Sequence, residues 1–273
     1  MKKFFGSLID AMLNSVADTL TVNASNLQID NSQNVMDIVN IIWQYFVLFA
    51  IGLTLVYFLI EINEKWALEG RDLTLKSMFA PFFKLVIAII ILLYASRIMS
   101  AMLTWNNGIM TSLQDKMDTK AIEDFYGAES YDDIKDGILG EISGLLQYVI
   151  MFIPFLLILV VCFLIRLVLI YKCILYKVEL LWRVSITPVA VTDVYQGQRS
   201  NAIRWFKGII AHIIYGASFM VVPYLIVKIN PITITASNGV FDAIKGMLTF
   251  LVVPFAYLGL LTVIKQATKE ALS

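Results

Sequence analysis

From Ile38 to Ile60 the chain reads IVNIIWQYFVLFAIGLTLVYFLI, 23 residues without a charge. At 1.5 Å of rise per residue, a helix of that run is about 35 Å long and crosses a hydrocarbon core of about 30 Å. The stretch reads as a membrane span, with Trp43 and Tyr45 near its start as interface anchors.

Working outward, the pattern repeats. A second span is expected over Met78 to Ser96, with Pro81 and Lys84 near its start, and its helix can run on through Ile98, Met99, Met102 and Leu103. A third covers Leu145 to Ile165 with Pro154, a fourth Gly208 to Val227 with His212 and Pro223, and a fifth Gly246 to Ile264 with Pro254. Composition agrees: only 15% of residues are charged, against about 25% in soluble domains. The expected fold class is all-α, a polytopic transmembrane helical protein of about five spans.

The flanking segments divide the chain further. Residues 1–36 hold an amphipathic helix and a polar connector. Phe4, Phe5, Leu8, Ile9, Met12, Leu13, Val16 and Leu20 recur at helical spacing, and such a helix lies on a membrane or a partner. Gly6, Ser7 and Asp10 interrupt any signal-peptide core. Residues 37–96 carry the first two spans and a short charged loop. Residues 97–144 form an acidic loop with nine acidic and four basic residues, in which Ser130 and Asp133 resemble a capping box. Residues 145–273 carry the last three spans and a basic loop over 193–207.

Residues 167–192 stay apolar yet hold Lys172, Lys177, Glu179 and Arg183. Lys172, Tyr176, Glu179 and Arg183 fall on one helical face. Either the third helix continues until Pro188, or the segment turns along the membrane surface or re-enters the bilayer.

Orientation follows from the basic residues. Loops 61–77, 172–208 and 265–273 hold 11 in 63 positions, whereas 1–37, 97–146 and 229–245 hold 7 in 104. The positive-inside rule places the first set in the cytoplasm. The N-terminus and the acidic loop are then outside, the C-terminus is inside, and Trp66, Trp182 and Trp205 gather at the cytoplasmic interface.

Several functions are disfavoured. Balanced charge, 21 basic against 21 acidic residues, does not suit a nucleic-acid surface. There is no phosphate-binding loop of the Walker type. The single histidine, His212, has no carboxylate close in sequence, so neither a metal site nor a catalytic triad is legible. Cys162 and Cys173 lie in apolar sequence and read as small buried hydrophobes. The acidic loop lacks the carboxylate spacing of an EF-hand. No enzyme activity and no cofactor is expected.

Ionisable residues in apolar sequence are the candidates for function. Arg166 and Lys84 either snorkel to the interface or line a pore or subunit contact. His212, between Gly208 and Gly216 on one face, serves helix packing or senses protons. Glu179 forms an ion pair with Arg183 or meets a partner subunit.

Tyr176-Lys177-Val178-Glu179-Leu180-Leu181-Trp182-Arg183-Val184-Ser185-Ile186-Thr187-Pro188 is followed by a polar loop and by Trp205-Phe206-Lys207-Gly208 opening a span. This resembles the TrbL-type polytopic subunit of type IV secretion machines, in which a long apolar helix carrying a Glu runs into a Ser-x-x-Pro segment, a basic loop and an aromatic-Lys helix start. Glu179, Ser185 and Pro188 match. Met78-Phe79-Ala80-Pro81-Phe82-Phe83-Lys84, opening the second span, fits the same layout.

The resemblance implies a non-enzymatic subunit of a bacterial cytoplasmic membrane. Such a subunit forms homo-oligomers beside a cytoplasmic ATPase and single-span scaffold proteins, and it makes transient contact with translocated DNA-protein or protein substrates. The acidic loop and N-terminal helix would meet outer partners. The basic surface from Lys172 to Lys207 would dock the ATPase, touch substrate, or anchor to anionic lipid head groups. Two rivals remain: a small-solute transporter or channel with helices broken at proline, though no internal repeat is seen, and a membrane enzyme, for which no acid-base pair is seen.

Overall fold

The computed structural model describes residues 2–29, 33–69, 75–117, 145–192, 195, 199–229 and 240–272. Every regular element among them is a helix: α1 (Lys2–Leu20), α2 (Ala24–Leu27), α3 (Gln33–Glu69), α4 (Leu75–Lys116), α5 (Leu145–Ser185), α6 (Thr187–Thr192), α7 (Arg199–Ile229) and α8 (Val240–Leu272). Five of these, α3, α4, α5, α7 and α8, are long and apolar enough to cross a membrane. The chain is an all-α, multi-pass membrane protein.

The helices outrun the spans that charge alone marks. The charged stretch after Ile60 is helix as far as Glu69, because its Glu, Lys, Ala and Leu are good helix formers. The helix α4 continues to Lys116, 20 residues past Ser96. The helix α7 starts at Arg199, inside the expected basic loop. Most of the acidic loop, including Ser130 and Asp133, lies outside the described residues, as does the Asn230-Pro231 connection.

The third helix continues rather than turning along the surface. The helix α5 is unbroken from Leu145 to Ser185, and its end has a local cause. Pro188 has no N–H to give Val184, four residues back. The Val184 carbonyl is taken instead by the Thr187 hydroxyl. The Ser185 hydroxyl bonds back to the Leu181 carbonyl at 2.8 Å. A new short helix, α6, then starts with proline in its first turn, where the missing N–H is tolerated.

Contacts divide the chain into two compact units. The first comprises residues 1–27, 109–175 and 214–267. Here α1 buries Ile9, Met12, Val16 and Leu20 completely, each worth about 1.5–3 kcal/mol if taken from water. These four members of its apolar stripe are thus packed inside the chain. Asp18 at the end of α1 pairs with Arg166 of α5 at 3.1 Å, and the Ala24 amide donates to the Gln114 side chain at 2.9 Å. The Tyr257 hydroxyl donates to the Phe219 carbonyl at 2.8 Å, joining α8 to α7. Cys162 and Cys173 are buried thiols, as small hydrophobes would be.

The second unit comprises residues 28–108, 176–213 and 268–273. In it α6 packs on α3. Val191 joins Ala50 and Leu92 in one buried cluster, and Tyr195 joins Leu85 and Ala88 in another. The opposite face of α3 is open: Tyr45, Leu48, Phe49, Val56 and Leu59 are all exposed. Trp43 departs from the anchor role expected of it, since its indole N–H is buried without an acceptor rather than turned to an interface.

Candidate functional site

Two stripes of side chains build the site in the second unit. On α5, Tyr176, Glu179 and Arg183 recur at three and four residues; on α7, Trp205, Gly208 and His212 do the same. The stripes face each other antiparallel. The Trp205 indole N–H donates to the Arg183 carbonyl at 3.1 Å, and seven residues further along α7 His212 reaches the Tyr176 carbonyl at 2.9 Å.

The glycine between them permits the approach. A Cβ on Gly208 would stand 3.1 Å from an Arg183 guanidinium nitrogen. The guanidinium therefore lies along bare α7 backbone while another of its nitrogens holds Glu179 Oε1 at 3.1 Å. This confirms the expected Glu179–Arg183 pair and adds its neighbour.

His212 is only 4% exposed, and its ring stacks on Tyr176 at 4.7 Å between centroids and 14° between planes. A carbonyl can only accept, so Nε2 must carry the proton in its bond to the Tyr176 carbonyl. Nδ1 then faces Glu179 Oε2 at 3.9 Å, too far for a hydrogen bond. A proton on Nδ1 would turn this approach into an ion pair.

The cluster continues onto α4 through residues that the sequence reading did not single out. The Tyr176 hydroxyl donates to Asn106 Oδ1 at 2.6 Å, and Asn106 is fully buried. Asn106 Nδ2 donates to Asn107 Oδ1 at 3.3 Å. The Asn107 amide clasps the backbone of Ile29 in both directions, at 3.0 Å each way. Two adjacent amides inside an apolar helical run were the available signal.

The bond between Tyr176 and Asn106 also corrects the span edges. With edges at Ser96 and Ile165, Asn106 falls outside the membrane and Tyr176 inside the cell. A hydrogen bond cannot cross a bilayer, so at least one of the two helix extensions remains within it. Hydropathy misplaced the edge because both helices stay apolar past their first charge.

The other candidates lie elsewhere. Lys84 is not a lone snorkelling cation; it pairs with Glu61 of α3 at 2.8 Å. The Tyr195 hydroxyl is buried near Glu61 without a well-formed hydrogen bond. Burial and the Glu61 carboxylate push the Tyr195 phenol well above its usual range. Arg166 is held by Asp18, and Lys172 donates to the Thr262 hydroxyl at 3.3 Å rather than joining Glu179. Ser185 and Pro188 are both buried at the α5–α6 joint. Among the described residues no group of three or more His, Cys, Asp or Glu is placed to hold a metal. No family model matches the chain, and no curated protein or solved structure does either.

Proposed function

We propose that the chain is a non-enzymatic channel or scaffold subunit of a type IV secretion apparatus in a bacterial cytoplasmic membrane. It oligomerises there and helps to translocate DNA-protein or protein substrates beside an ATPase and single-span scaffold proteins.

One observation carries this reading. The residues of the TrbL-like stretch form a single packed joint: Glu179 holds Arg183, Arg183 meets Trp205 and Gly208, and Ser185 and Pro188 are buried where α5 gives way to α6. A motif that is structural in this way fits a scaffold. The open apolar face of α3 fits it too, because its exposed Tyr45, Leu48, Phe49, Val56 and Leu59 leave a surface for lipid or a second copy.

The test is gentle extraction from native membranes with a C-terminal tag, followed by mass and composition of the complex. Several copies together with an ATPase and single-span proteins are expected. A partner-free monomer or dimer would overturn the proposal in favour of a small-solute transporter.

A further inference from the structure

A second charged site lies in the first unit, on three helices. Lys172 of α5 is half-buried, and its one hydrogen bond is to the neutral hydroxyl of Thr262 on α8, at 3.3 Å. That hydroxyl itself donates to the Leu258 carbonyl. Among the described residues no carboxylate lies within ion-pair distance of Lys172. An ammonium has three donors, so two remain.

Another cation acts on Lys172. Lys265, one turn beyond Thr262 on α8, is close enough to act on Lys172 electrostatically, and its ammonium lies 5.3 Å over the ring of Tyr215 of α7. Folding thus brings together two like charges from distant parts of the chain, one of them partly desolvated. A partly desolvated ammonium such as that of Lys172, beside a like charge, costs free energy unless an anion joins it.

The surroundings name the anion. Tyr171 and Ile174 beside Lys172, and Leu260 and Val263 beside Thr262, are exposed apolar side chains on helices that cross a membrane. They offer a surface for acyl chains next to donors for a head group. Lysine is a point-charge binder of phosphate, and the Thr262 hydroxyl, whose own proton goes to Leu258, holds the Lys172 ammonium in place.

We propose that Lys172, Thr262 and Lys265 form a binding site for a phosphate group, such as the head group of an anionic phospholipid presents. The site is independent of the proposed secretion role and of the Glu179 cluster.

The test uses the full chain, purified in detergent after exposure to vesicles of phosphatidylcholine with phosphatidylglycerol, with retained lipid read by native mass spectrometry. The wild type retains phosphatidylglycerol over phosphatidylcholine. Lys172→Gln and Lys265→Gln each weaken that retention about tenfold or more, the size of a lost hydrogen bond to a charged group. Lys172→Arg keeps it, which separates loss of charge from misfolding, and Lys269→Gln leaves it unchanged. Inorganic phosphate is then added as competitor. Displacement assigns the site to phosphate in general, and no displacement assigns it to the lipid head group. Equal retention by the wild type and both glutamine variants, or equal loss in Lys172→Arg and Lys172→Gln, overturns the proposal.

Discussion

Tyr176 of α5 donates a 2.6 Å hydrogen bond to Asn106 of α4, and each side chain is at most 1% exposed. Around it, Trp105 and Val178 present exposed apolar surface. A polar bond ringed by apolar surface marks a helix contact inside or at the edge of the bilayer, where an unmade bond has no water to replace it.

Removing either partner should therefore couple to removing the other. In a double-mutant cycle of Tyr176→Phe and Asn106→Leu, the coupling energy is expected at about 0.6–1.7 kcal/mol, the range of such bonds between membrane helices. Reversible unfolding in mixed micelles gives the four stabilities. Strict additivity would show that the bond does not hold α4 to α5.

The same contact sets a depth. Thr104→Cys and Val178→Cys, each in a chain whose Cys162 and Cys173 are alanine, should share one fate with a membrane-impermeant thiol reagent. Both are labelled from the same side, or both are protected. Labelling from opposite sides would restore the span edges at Ser96 and Ile165.

His212 donates through Nε2, so the donor matters more than the ring. His212→Gln can still reach the Tyr176 carbonyl and should retain most of the stability. His212→Leu loses the bond and the stacking, a loss of about 1–3 kcal/mol. Equal stability of the two variants in thermal unfolding would assign the site to packing alone.

Gly208 carries two opposed effects. Alanine in place of a mid-helix glycine gains about 0.8–1.0 kcal/mol of helix propensity, but its Cβ would stand 3.1 Å from the Arg183 guanidinium. Gly208→Ala should thus be nearly neutral alone and stabilising in an Arg183→Ala background. The same change in stability in both backgrounds would mean that Arg183 does not press on α7.

The raised phenol of Tyr195 has a signed consequence. The folded state holds this proton more tightly than the unfolded chain does. Its contribution is complete below the ordinary tyrosine range near about pH 10, and it is lost as the pH rises above that. Tyr195→Phe should flatten the fall of stability above about pH 10 relative to the wild type. Parallel alkaline unfolding curves would exclude Glu61 and burial as the cause.

Some of this was legible in the residues. Apolar run length announced five spanning helices, and the spacing of Glu179 and Arg183 announced their pair. Asn106 and Asn107 were passed over because a hydropathy reading ends a span at the first polar cluster, and nothing local says that a polar group has a partner 70 residues away. Lys84 and Arg166 read alike as snorkelling cations for the same reason, since Glu61 and Asp18 lie on other helices.

The sequence by itself determined the helices, their membrane character and the break at Pro188, because propensity, hydropathy and a missing N–H are properties of neighbouring residues. Tertiary structure alone decided that Ile9, Met12, Val16 and Leu20 of α1 are buried, that Tyr176, Asn106 and His212 share one cluster, and that Lys172 feels the charge of Lys265. Each of these depends on which helix faces which, and uniformly apolar helices carry little pattern that specifies their neighbours.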